Sequence, residues 1–221
     1  MGRTSSSQQR LLTAAGDLLW EKSYHSLALD EVCARAGVPR GSLYYFFDSK
    51  RALTLAALKH LWETVAKPAY DKHFSKANPA LFRITGFLAC LQSLQRKKFR
   101  NSGRVLGWPF FNLGCELGDQ EPGVSDQLRE IEAAELCYFE SAINDAVNQN
   151  IVQLTDPRAE ALALRAAVEG ILGRARILND LDALSPLSAL PINILRLEPP
   201  VTAGHVSACE EFEETTSLHV L

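Results

Sequence analysis

No apolar run in the 221 residues approaches the roughly 20 needed to span a bilayer. The opening residues Met1-Gly2-Arg3-Thr4-Ser5-Ser6-Ser7 lead into no continuous apolar stretch of the secretory kind. A cytoplasmic location with no membrane partner is therefore expected. Cysteine is sparse: Cys33, Cys90, Cys115, Cys137 and Cys209 are odd in number and form no Cys-x-x-Cys pair, which speaks against a disulfide framework or a zinc finger. The histidines, His25, His60, His73, His205 and His219, show no ligand spacing with one another or with the cysteines, so no metal site is expected. There is also no nucleophile motif and no phosphate-binding glycine loop, which argues against an enzyme and against a bound cofactor.

Strong net charge is missing too, the total being −3, yet its distribution is uneven. Residues 1–76 carry 11 Lys/Arg against 7 Asp/Glu, and residues 77–221 carry 12 against 19, so a basic head precedes an acidic body. Local potential rather than total charge governs encounter with a polyanion, so such a head would meet phosphate first. With 47% hydrophobic and 22% charged residues the chain has the composition of a folded globular protein.

What is present is helical periodicity. Leu11, Leu12, Ala15, Leu18 and Leu19 recur at three- and four-residue steps from Gln8 to Trp20, with Ser5-Ser6-Ser7 available as N-caps. A turn through Ser23-Tyr24-His25-Ser26 precedes a short helix marked by Leu29, Val32, Cys33 and Ala36, which Gly37 should end. Pro39 suits the first turn of a third helix, Arg40 to Phe47, and Asp48-Ser49-Lys50 breaks it and caps a fourth through Leu61. Two short helices joined by Ala36-Gly37-Val38 have the logic of a helix-turn-helix, whose second helix enters the major groove of DNA. The chemistry fits: Arg40 can bond guanine in bidentate fashion, Gly41 allows close approach, and Ser42 adds a hydroxyl. Alternation on a helix cannot bury all of Tyr44, Tyr45, Phe46 and Phe47, so the tyrosines should be exposed, one on bases or sugars and one on phosphate. Lys50 adds its charge to the open N-terminus of the fourth helix.

From Ala36-Gly37-Val38-Pro39-Arg40-Gly41-Ser42-Leu43-Tyr44-Tyr45-Phe46-Phe47-Asp48-Ser49-Lys50, continuing into Arg51-Ala52-Leu53, the sequence resembles the tetracycline-repressor (TetR) family of regulators. The resemblance covers about Ser7 to Leu58. It implies that Arg40, Gly41, Ser42 and Tyr44 face bases and that Tyr45 and Lys50 hold phosphates. Two positions depart from the pattern. Ala28 stands where the family usually has Thr or Ser capping the second helix and touching phosphate, and Phe46 replaces a frequent His.

The remainder reads as helix throughout, giving an all-α chain with a three-helix helix-turn-helix head at residues 1–50 and a linking helix at 49–66; the resemblance implies that the helical bundle at 51–198 is a ligand-binding and dimerisation domain. Residues 199–221 are expected to be a flexible tail. A helix opened by Pro79 should run to the basic Arg96-Lys97-Lys98, an apolar stretch from Leu106 to Leu117 should be closed by Pro122-Gly123, and long helices should follow from Ser125 to about Gln149 and from Asp156 or Pro157 to Asn179. A last short helix is expected to reach Arg196. In the second long helix, Leu164, Val168, Ile171, Ala175 and Leu178 lie beside Ala166, Ala167, Gly170 and Gly173, a face suited to packing or to a homodimer. Aromatic residues with a few polar groups make a cavity for a small apolar or amphipathic effector. The candidates are Trp108, Phe111, Asn112, Cys115 and Glu116, with Phe87, Cys90 and Tyr138. The expected function is a homodimeric transcriptional regulator, a repressor released from a palindromic operator in double-stranded DNA by that effector; the alternatives are an effector-independent activator and a thiol-based sensor acting through Cys115.

Overall fold

The computed structural model describes residues 2–196, and among them it contains helices and no strand. The helices are α1 (Gly2–Glu21), α2 (Leu29–Ala36), α3 (Arg40–Phe46), α4 (Lys50–Leu61), α5 (Lys67–His73), α6 (Ala80–Ser102), α7 (Pro109–Leu117), α8 (Pro122–Asn148), α9 (Pro157–Leu178) and α10 (Leu190–Ile194). A π-helical turn, Trp62–Ala66, joins α4 to α5, and a 3-10 segment, Asp182–Ser188, precedes α10. No helix among the described residues is long and apolar enough to cross a membrane. The tail from Pro199, expected to be flexible, lies outside the described residues.

Local chemistry explains most boundaries. Gly37 takes the left-handed conformation (φ 60°) after α2, and the N–H of Val38 closes back onto the carbonyl of Cys33 at 3.0 Å. The Ser49 hydroxyl accepts from the N–H of Ala52 at 3.1 Å, and the Asp156 carboxylate accepts from that of Ala159 at 3.0 Å, capping α4 and α9. Three boundaries differ from the sequence reading. The Ser5-Ser6-Ser7 run lies inside α1, which starts at Gly2, because serine costs only a few tenths of a kcal/mol in a helix that is already nucleated. Pro122 opens α8 instead of closing the segment before it, since a proline at the first helical position gives up an N–H that has no partner there. The helix α6 runs past the basic stretch to Ser102, where Gly103 (φ 68°) ends it.

The chain forms two compact units. The first joins the described residues up to Ala69 with Trp108–Glu135. Its core is built on α1, whose Leu11, Ala15, Leu18 and Leu19 are almost wholly buried, together with Val32 of α2, Leu43 of α3 and Leu53, Ala57 and Leu58 of α4. Burial of each such leucine is worth about 1.5–3 kcal/mol, far more than helix propensity supplies, so packing on α1 is what holds the short α2 and α3 in place. Trp20, 1% exposed, meets Trp108 edge-on with ring centroids 6.0 Å apart, and the Trp108 indole N–H donates to the buried Glu135 carboxylate at 2.8 Å.

The second unit joins Tyr70–Gly107 with the described residues from Leu136 on. Tyr70, Phe74, Phe87, Tyr138 and Phe139 form one aromatic cluster, with Tyr70 4.2 Å from Phe87 and 5.0 Å from Tyr138 between ring centroids. Several polar groups inside this unit are paired. Gln95 accepts from the N–H groups of Leu106 and Gly107 and donates to the Gly107 carbonyl. Asn179, the left-handed cap of α9, accepts from Val105 N–H at 2.8 Å and donates to the Gly103 carbonyl at 3.1 Å. Arg83 is ion-paired to Asp145 at 2.6 Å, and Arg165 to Glu169 at 2.5 Å.

Candidate nucleic-acid interface

The outward face of α3 carries the residues that the sequence singles out. Leu43 is fully buried and Phe47 nearly so, which fixes the helix, while Tyr44 and Tyr45 are 47% and 76% exposed. Four consecutive aromatic residues are thus divided by helix geometry into an exposed pair, Tyr44 and Tyr45, a half-buried Phe46 and a buried Phe47. Gly41 is exposed, and a Cβ added there would meet no atom within 4 Å, so the room it leaves faces away from the protein. Ser42 is half-buried, its N–H bonded to the Pro39 carbonyl at 2.9 Å.

Arg40 is held between two partners. Its Nη1 lies 2.7 Å from Asp30 Oδ1, and its Nη2 donates to the Tyr44 hydroxyl at 3.2 Å. Both members of the ion pair are more than half exposed, so the pair is weak and the guanidinium is open to solvent. The Asp30 partnership has no motif in the sequence to announce it.

Lys50 stands on the first turn of α4, next to the Ser49 cap. Its ammonium donates to the His25 carbonyl at 3.1 Å and lies over the Tyr24 ring, 4.9 Å from its centroid. Burial lowers the Lys50 pKa, and the carboxylates of Glu116 and Glu121 oppose that shift. The turn supporting this lysine is tied to α7. Glu116 accepts from the backbone N–H groups of Tyr24 (2.9 Å) and His25 (3.0 Å), and Glu121 accepts from the Tyr24 hydroxyl (2.9 Å). Burial pushes the Glu116 pKa up, but the donors of His25 and Tyr24 outweigh it and hold the carboxyl below its ordinary value. Burial and the bond to Glu121 push the Tyr24 phenol up to about 12, which keeps its proton in that bond.

Ala28 is exposed and occupies the N-cap of α2 in extended conformation (φ −96°, ψ 128°), with no side-chain cap. Serine at a helix N-cap has the same backbone geometry and accepts from the third helical N–H. Ala28→Ser should therefore raise the urea midpoint by an amount equivalent to about 0.5–2 kcal/mol. An unchanged midpoint would show that α2 gains nothing from a cap.

The effector candidates divide between the two units. Trp108, Phe111, Asn112, Cys115 and Glu116 belong to the first, and Phe87, Cys90 and Tyr138 to the second. Phe87, Cys90 and Trp108 are buried, Phe111, Asn112 and Tyr138 half-buried, and Cys115 exposed. The Tyr138 hydroxyl donates to Asp71, and burial together with that acceptor raises its pKa. Glu116 has its carboxylate committed to the turn after α1, which leaves it little capacity for a ligand.

This geometry defines a helix-turn-helix protein with an exposed recognition helix. The family profile described as "Bacterial regulatory proteins, tetR family" matches residues 11–57. The chain is 33% identical over 121 residues to the transcriptional regulator AcuR of Cereibacter sphaeroides, an alignment covering 54% of this chain and half of that one (50%). It is 26% identical over 200 residues to an uncharacterized HTH-type transcriptional regulator of Mycobacterium tuberculosis, covering 87% of this chain and 96% of the other. The crystal structure of the regulatory protein TetR from Rhodobacter sphaeroides superposes with a TM-score of 0.69 at 25% identity, over 86% of this chain and 97% of that one. A TetR-family regulator from Agrobacterium tumefaciens shares the fold, with a TM-score of 0.76 at 16% identity over 89% of this chain and 100% of that one. Residues 11–57 thus match the DNA-binding region of TetR-family regulators, and the described chain shares the fold of such regulators.

Proposed function

We propose that this regulator is a cytoplasmic homodimeric repressor of a palindromic operator, released when a small apolar or amphipathic effector occupies its helical body. The observation that carries the reading is the outward face of α3, where Tyr44 and Tyr45 stand exposed beside Arg40 and the open space at Gly41. Large exposed aromatics next to a cation are costly to leave in water and suit a groove lined with base edges and phosphates. In this reading Arg40, Gly41, Ser42 and Tyr44 meet bases, and Tyr45 and Lys50 meet phosphates, with the α2 N-terminus at Ala28 close to the backbone.

A second copy is the partner that suits α9. Leu162, Ile177 and Leu178 are 55%, 84% and 51% exposed, and the exposed Ala166 and Gly170 lie between the first two along the helix. Two copies would bring two recognition helices to half-sites one helical turn apart, about 34 Å. The effector is assigned to the second unit, at Phe87, Cys90 and Tyr138. Its binding would favour a conformation in which the two heads no longer fit successive major grooves.

Two substitutions separate the assigned roles. Arg40→Ala should cost about ten- to a hundred-fold on the preferred site and much less elsewhere, relaxing base preference. Lys50→Ala should weaken all sequences alike and reduce the salt slope of binding by about one unit. Equal loss from both on every sequence would overturn the role assignment. DNase footprinting should show paired half-sites, and sedimentation a dimer; a single half-site or a monomer would remove the dimeric part of the reading. Release by a thiol oxidant that disappears in Cys115→Ser, a residue whose side chain is exposed, would replace the effector with a thiol sensor.

A further inference from the structure

We propose that Glu116 is a positioning residue for DNA binding, its carboxylate clamping the α1–α2 turn and thereby setting the Lys50 ammonium where a phosphate meets it. The inference rests on the DNA-contact reading of Lys50 and adds to it a residue of α7.

The geometry is a relay of three links. In the first, one carboxylate engages three groups of the turn: Glu116 Oε2 accepts from Tyr24 N–H at 2.9 Å, and Oε1 accepts from His25 N–H at 3.0 Å and lies 2.7 Å from His25 Nδ1. Glu121 adds a second tie at the Tyr24 hydroxyl, 2.9 Å away. In the second link, the clamped peptide presents the His25 carbonyl and the Tyr24 ring. In the third, these two groups hold the Lys50 ammonium, the carbonyl at 3.1 Å and the ring centroid at 4.9 Å. Every member lies within the first unit, but Glu116 is 91 and 92 residues distant in sequence from the groups it holds. Carboxylates that accept from backbone N–H groups form charge-assisted bonds stronger than neutral ones, so this clamp is stiffer than the exposed pairs elsewhere on the head. A displacement of α7 would pull on the turn and move the lysine.

The clamp and simple electrostatics predict opposite signs. Glu116 is an anion in a DNA-binding head, and removing an anion there should tighten binding to a polyanion. If it acts by positioning Lys50, removing it should loosen binding. The test uses the full chain and a fluorescein-labelled mixed-sequence duplex, followed by fluorescence anisotropy across a salt series, with circular dichroism to establish folding. Glu116→Gln places an amide N–H against backbone donors. It should weaken binding about tenfold and lower the slope of log K against log salt by about one unit, as loss of one phosphate contact does. Combined with Lys50→Ala, it should cost no more than Lys50→Ala alone, since both remove the same contact. Glu116→Asp keeps the charge but shortens the reach, and it should weaken binding in the same way; it carries the test should the glutamine variant fail to fold. Tighter or unchanged binding by these variants, or fully additive losses in the double variant, would overturn the proposal. If the unaltered protein showed no salt-dependent binding to the duplex, the DNA-contact reading itself would fall, which is a separate outcome.

Discussion

Replacing Trp20 by alanine is expected to lower stability by about 3–5 kcal/mol and to weaken DNA binding in step with the folded fraction lost. The indole is 1% exposed at the end of α1, so its removal forfeits burial and leaves a cavity in the core that carries α2 and α3. Its edge-on partner Trp108 is itself fixed by the bond from its N–H to Glu135 at 2.8 Å, which limits how far that ring can move to fill the space. The loss is read as a fall in the guanidinium midpoint at unchanged slope and as a drop in Tm on the order of 10 °C. A loss below about 1 kcal/mol would mean that the head core repacks freely, contrary to the close packing expected of a protein interior. Binding should recover in proportion to the folded fraction at low temperature.

The second large effect falls on the body. Arg83 has a side chain only 4% exposed, and its guanidinium donates to Asp145 (2.6 Å), to the Asn78 carbonyl (2.9 Å) and to the Lys76 carbonyl (3.4 Å). Asp145→Ala removes the counter-charge and leaves a buried cation facing carbonyl dipoles alone, a change expected to cost about 3 kcal/mol. The pair itself contributes much less than that, because desolvation of both charges offsets most of their attraction. The double variant Arg83→Met with Asp145→Leu should accordingly be closer in stability to the unaltered protein than Asp145→Ala alone. Chemical denaturation of Arg83→Met, Asp145→Leu and the double variant provides the cycle. A double variant less stable than Asp145→Ala would mean that the ion pair is a net source of stability here.

Local features were legible in the sequence because local chemistry causes them. The left-handed Gly37, the Ser49 cap, Pro39 ahead of α3 and Pro157 at the start of α9 each act within a turn of their own position. The exposure of Tyr44 and Tyr45 followed from the same short-range geometry, since one helix face cannot take four successive rings. Pro122 misled for an equally local reason: Pro-Gly is common in turns, and only the burial of Val124, Ser125 and Leu128 behind it makes a helix start favourable.

The tertiary structure decided who meets whom. Glu116 read as a polar group in an effector cavity, because it lies in an apolar aromatic stretch; the fold gives it to the backbone of Tyr24 and His25. Asp30 gave no sign of holding Arg40, nor Glu135 of receiving the Trp108 indole N–H. These partnerships depend on the packing of helices that are distant in the chain, which no spacing rule encodes. The sequence alone determined an all-α chain with a TetR-like recognition helix, because periodicity, caps and turn residues act over a few positions. Only the folded chain decided which carboxylates tie that head together, because a hydrogen bond is set by three-dimensional proximity.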